Sequence, residues 1–157
     1  MTILGDSMIK EIKGYEMTND DVLVVTKSFS GATVECMEHY VKPTLKKKQD
    51  VMIIHCGTNN IRSTDVDTLA DNIINLAIKC ADSTNVIISS LVQRNDSYNE
   101  KVKNVNTKLK QICHDMNIGF IDNSNIDPKA HLNKSKLHLN RRGARILEKN
   151  LQLACKN

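Results

Sequence analysis

The chain predicts an α/β fold built on a parallel sheet, and three observations carry that prediction. Five short apolar runs alternate with stretches of helical periodicity, the order that βαβ units produce. The most apolar run, Val51-Met52-Ile53-Ile54, shows no in–out alternation, as expected of a strand covered on both faces. The runs also end in polar turns, several of them bearing glycine. Right-handed crossovers then give a three-layer α/β/α sandwich around a five-stranded parallel sheet. With 157 residues, the chain has the length of a single domain, residues 1–157.

Taken in order, Thr2-Ile3-Leu4 is a buried strand that delivers Gly5-Asp6-Ser7 to its carboxyl end. Met8, Ile9 and Ile12 lie at helical spacing, so Met8 to Tyr15 is predicted as a short helix ended by Gly14. A second strand is predicted at Asp21–Thr26, followed by a loop over Ser28–Thr33 with Ser30-Gly31 at its centre. Val34, Met37, Tyr40 and Val41 mark the next helix, which Pro43 should bend or restart.

The third strand, Asp50–Cys56, leads into Gly57-Thr58-Asn59-Asn60. Thr64 and Asp67 form a variant capping box before the helical face of Val66, Leu69, Ala70, Ile73, Leu76 and Ala77. Asn85 to Leu91 is the fourth strand, and Tyr98 to Met116 a long amphipathic helix. The fifth strand is Asn117–Asp122, an irregular polar stretch covers Asn123–Lys136, and Asn140 should cap a last helix from Arg141 to Ala154.

Apolar residues make up 40% of the chain and charged ones 25%, which excludes a disordered chain, and aromatics at 3% leave the core to aliphatic side chains. The five cysteines, Cys36, Cys56, Cys80, Cys113 and Cys155, form no C-x-x-C pair, which suits reduced thiols and an intracellular rather than secreted setting. Neither a leader peptide nor an apolar run of about 18 residues is present. The first strand starts almost at residue 1, as expected of a domain excised from a longer protein.

The net charge is +4, concentrated at Lys46, Lys47, Lys48 and around Arg141 and Arg145. Solvated helix faces are the leading reading of both clusters, with weak contact to nucleic acid or an anionic membrane as the alternative. No His/Cys/Asp spacing resembles a metal site, and His55, His114 and Cys113 are read as packing residues.

Chemistry gathers at strand exits and at one helix entry. Gly5-Asp6-Ser7, Ser30-Gly31, Gly57-Thr58-Asn59-Asn60 and Leu137-His138-Leu139-Asn140 offer a hydroxyl, a glycine N–H, a side-chain amide and an imidazole. Those are a nucleophile, a base and donors for a developing oxyanion. Asp6 is expected to cap the helix that carries Ser7.

On these four blocks, in this order, the sequence resembles the SGNH (GDSL) hydrolase superfamily, with its flavodoxin-like sandwich. The Gly-Thr-Asn-Asn block, where Gly-x-Asn-Asp is common, resembles small acetylhydrolases. With Leu-His-Leu-Asn-Arg-Arg-Gly added, the chain is most similar to esterase domains in the first reading frame of some non-LTR retrotransposons. The resemblance implies a serine esterase without metal or cofactor, acting on short acyl esters. In it Ser7 attacks, His138 moves the proton, and the oxyanion is bound by the Ser7 and Gly31 N–H groups and the Asn59 amide.

One position departs from the pattern: the family's acid three residues before the histidine is here Ser135. Three alternatives follow: a Ser–His dyad with a main-chain carbonyl of the 135–136 region holding the imidazole, Asp127 folding in from the preceding loop, or an inactive module that only binds.

Overall fold

The structure, a computed structural model, describes residues 1–154; Cys155 lies outside them. Five parallel strands form one sheet in the order β2-β1-β3-β4-β5: β1 Thr2–Gly5, β2 Val25–Ser28, β3 Val51–His55, β4 Asn85–Ser89 and β5 Gly119–Ile121. The helices are α1 Gly14–Met17, α2 Val34–Leu45, α3 Val66–Ala81, α4 Asn99–Asp115, α5 Pro128–His131 and α6 Arg141–Ala154.

Alternate residues of the central strands feed two apolar layers, which is what a sheet covered on both faces requires. Leu4, Met52, Ile54 and Ile88 pack under residues of α2, α3 and α4, such as Met37, Leu69, Ile73, Val105 and Leu109. Ile3 and Ile53 pack on the opposite face with Ile9, Ile12, Met17, Leu147 and Leu151. The predicted three-layer sandwich is the one observed.

Four local expectations are corrected. The helix expected over Met8–Tyr15 is a single 3₁₀ turn, Ser7–Ile9, and Gly14 starts α1 instead of ending a helix. A Cβ on Gly14 would sit 2.5 Å from the Val24 carbonyl, so the glycine is set by a close backbone approach. Strand β2 begins at Val25 and not at Asp21: its ladder with β1 starts at Thr2 opposite Val25, and the Asn19 side chain turns the preceding segment by accepting from the N–H groups of Asp21 and Val22.

The cap of α3 is Asp65, which accepts from Thr68 N–H at 2.9 Å, rather than Thr64. Helix α2 runs through Pro43 to Leu45 and does not restart there. Asn140 does cap α6, accepting from Gly143 N–H at 3.0 Å. Among the described residues no helix is long and apolar enough to cross a membrane.

Candidate active site

Parallel topology brings the carboxyl ends of β1, β2 and β3 to one edge of the sheet, where loops and helix starts converge. The β1 exit is tightly held. Asp6 N–H donates to the His55 carbonyl, Phe29 N–H to the Gly5 carbonyl and Ser28 Oγ to the Asp6 carbonyl. A Cβ on Gly5 would lie 2.5 Å from that same His55 carbonyl, so only glycine lets β1 and β3 close here.

Asp6 is fully buried and caps the 3₁₀ turn, its Oδ1 accepting from Met8 N–H at 2.9 Å. Its Oδ2 has no well-formed hydrogen bond. Burial pushes the Asp6 pKa up to about 6, opposed by the backbone N–H groups of Met8 and Thr58.

Ser7 opens that turn, and its Oγ lies 3.3 Å from His138 Nε2, contributed by a residue 131 positions later. Both line a cleft of about 550 Å³ together with Gly31, Asn59, Leu137 and Leu139. Gly31 has φ +77°, and a Cβ placed there would meet no heavy atom within 4 Å, so backbone conformation and not space selects glycine. The Asn59 amide donates one N–H to the Ala32 carbonyl at 2.9 Å, which orients the group and leaves its second N–H for another acceptor.

Thus the structure brings Ser7, Gly31, Asn59 and His138 into one cleft, and it places the remaining candidates individually. Asp127 does not reach the imidazole: its side chain caps α5, accepting from Lys129 N–H at 2.9 Å. The Lys136 carbonyl accepts from Asn95 N–H at 3.1 Å. The group facing His138 Nδ1 is the Ser135 hydroxyl itself, 3.4 Å away. Ser135 Oγ in turn lies 2.5 Å from Asn133 Oδ1.

The lysine cluster lies apart from this cleft, whereas Arg141 and Arg145 stand beside it, in a groove that shares Glu11, Leu139 and Ala144 with it. Lys47 and Lys48 line a groove at the opposite end of the sheet with Lys27, whose pKa is lowered by desolvation and by the charge of Lys47. Arg141 and Arg145 share theirs with Glu11, Glu16 and Glu148. Of the residues read as packing, His55 is buried, bonded through Nδ1 to Ser89 Oγ at 2.9 Å, and burial pushes its pKa down to about 4. Cys113 is buried, whereas His114 is on the surface beside Asp115.

Two supporting groups escaped the sequence reading. Asn60 is buried and accepts from Val34 N–H at 3.0 Å while donating to Glu35 Oε2 at 2.9 Å, latching the Asn59 turn to the start of α2. Its adjacency to Asn59 was the available signal. Asn133 carried none beyond standing in a polar loop.

The profile of the family described as "GDSL-like Lipase/Acylhydrolase family" matches residues 12–146, a span that begins after Ser7. Among solved structures, a member of the lipolytic protein G-D-S-L family from Veillonella parvula is similar with TM-score 0.85 at 19% identity, covering 99% of this chain and 97% of that one. An acetylxylan esterase from Geobacillus stearothermophilus gives TM-score 0.78 at 18% identity, over 96% and 90% of the two chains. A psychrotrophic esterase from Pseudoalteromonas gives TM-score 0.75 at 17% identity, over 99% and 96%. No curated protein matches the sequence.

Proposed function

This chain belongs to the GDSL-like lipase/acylhydrolase family, and from that premise we propose that it is a serine esterase for short acyl esters, with Ser7 as nucleophile and His138 as base. The observation that carries the reading is the 3.3 Å approach of Ser7 Oγ to His138 Nε2 inside a cleft that also holds Gly31 and Asn59. His138 Nε2 takes the hydroxyl proton as Ser7 Oγ attacks the ester carbonyl carbon. The oxygen that becomes negative is met by the N–H groups of Ser7 and Gly31 and by the Asn59 amide.

Collapse of that intermediate expels the alcohol, which takes its proton from His138 and leaves an acyl group on Ser7. Water, activated by the same imidazole, then releases the acid. An acetyl-sized acyl group agrees with the acetylxylan esterase among the structurally similar proteins. The Leu137-to-Gly143 segment further supports a place among retroelement esterase domains, and buried Cys56, Cys80 and Cys113 fit an intracellular setting.

The test is covalent labelling by a fluorophosphonate together with turnover of p-nitrophenyl acetate. A second, compatible reading rests on the gathering of Lys27, Lys47 and Lys48 around one groove that also holds Asp21 and Asp50, a modest excess of positive charge toward an anionic surface such as nucleic acid or membrane. Its signature is affinity that falls steeply with salt.

A further inference from the structure

We infer that Asn133 is a positioning residue that sets the tautomer of His138, acting through the Ser135 hydroxyl. The inference deepens the esterase reading and rests on it for its consequence in turnover, but the hydrogen-bond logic stands on geometry alone. Asn133 Oδ1 lies 2.9 Å from the backbone N of Ser135. A backbone N–H only donates, so the amide atom it meets must be the oxygen, and the orientation of the Asn133 amide is thereby fixed.

That same oxygen lies 2.5 Å from Ser135 Oγ. An amide oxygen only accepts, so the single proton of the Ser135 hydroxyl is committed to Asn133. What Ser135 Oγ has left is lone pairs. They face the backbone N–H groups of His138 at 3.1 Å and Leu137 at 3.3 Å, both of which can only donate, and His138 Nδ1 at 3.4 Å.

An oxygen with no proton to give can hold Nδ1 only if Nδ1 carries the hydrogen. Nε2 then bears the lone pair, and it is Nε2 that lies 3.3 Å from Ser7 Oγ. Asn133, Ser135, His138 and Ser7 therefore form a directed chain of neutral groups that ends in a base aimed at the nucleophile. The loop is closed around it by Asn133 N–H to the His138 carbonyl at 2.8 Å and Lys136 N–H to the Asn133 carbonyl at 3.0 Å. Without Asn133 the Ser135 hydroxyl is free to rotate and donate into Nδ1, which favours the Nε2–H tautomer that cannot accept a proton from Ser7.

The experiment is ¹⁵N NMR of the His138 imidazole in the whole chain, recorded in the neutral form of the ring, for the wild type, Asn133→Ala and Asn133→Asp. Asn133 is exposed, so neither substitution removes core packing. The expected result is an Nδ1–H imidazole in the wild type, a shift toward Nε2–H in Asn133→Ala, and restoration in Asn133→Asp, which keeps an acceptor at the same place. The matching kinetics are a fall in kcat of about tenfold for Asn133→Ala, the size of one ordinary hydrogen bond. KM should stay within roughly twofold, since the interaction serves the chemical step. An Nε2–H imidazole in the wild type, or a tautomer ratio unchanged in Asn133→Ala, overturns the inference. An Nδ1–H wild type with no turnover would instead overturn the esterase reading and leave the role of Asn133 standing.

Discussion

Ser135 Oγ lies 3.4 Å from His138 Nδ1, a neutral hydroxyl where the resemblance leads one to expect a carboxylate. It can hold the imidazole in place, but it carries no charge to stabilise the imidazolium that the proposed attack by Ser7 would form. Ser135→Asp should therefore raise kcat by about tenfold or more, bounded by the ~10⁴ that separates Asp from Asn in the serine-protease triad. The acid limb of the pH–rate profile should move to higher pH, because a carboxylate favours the charged imidazole. Steady-state kinetics across pH check both, and an unchanged profile with the fold intact would count against this account of Ser135.

Asn59 bonds the Ala32 carbonyl with one N–H, and in the proposed mechanism the other meets the oxyanion. Asn59→Ala should then lower kcat by about 10²–10³ with little change in KM. A loss confined to KM would assign the amide to ground-state binding instead.

Asp6 and His55 are both buried and titrate with opposite consequences. The Asp6 pKa, pushed up to about 6 from 3.8, means that the folded state holds this proton more tightly, so stability is lost as pH rises through roughly 4 to 6. The His55 pKa, pushed down to about 4 from 6.5, means that the folded state refuses this proton, so stability is lost as pH falls through roughly 6.5 to 4. Each effect is worth about 3 kcal/mol, and across the shared window they largely offset. Urea midpoints of the wild type should change little from about pH 4.5 to 6, whereas those of Asp6→Asn should fall steadily toward acid. Parallel curves for the two proteins would contradict the assignment.

Asn60 donates to Glu35 Oε2 at 2.9 Å, and this bond is the first cause of the lowered Glu35 pKa. Asn60→Asp would here set two carboxylates against each other. It should destabilise the fold by about 1–2 kcal/mol at neutral pH, and Glu35→Gln on the same background should restore most of the loss. A double-mutant cycle by urea unfolding measures the coupling; additive effects would show that the two side chains do not interact.

What could be read from the sequence follows from where the information lies. Strand β3 was legible because Val51 to Ile54 are apolar on both faces, and the four candidate site residues because each stands at a strand exit or a helix entry. The start of β2 was not, since Val22, Leu23 and Val24 look like strand but lie before the ladder, which starts at Thr2 opposite Val25. Ser135 was legible as the position facing His138; that its hydroxyl keeps that place and that Asn133 adjoins it were not, because these contacts form only when the 133–138 turn closes on itself. Glu35 and Asn60, 25 residues apart, meet only through the tertiary fold.

The central claim is that Ser7 is an activated nucleophile, and intact-protein mass after fluorophosphonate treatment tests it most directly. One adduct on the wild type, and none on Ser7→Ala, is the predicted result. Folded wild-type protein that takes no label at any pH between about 6 and 9, or labelling that persists in Ser7→Ala, would contradict it.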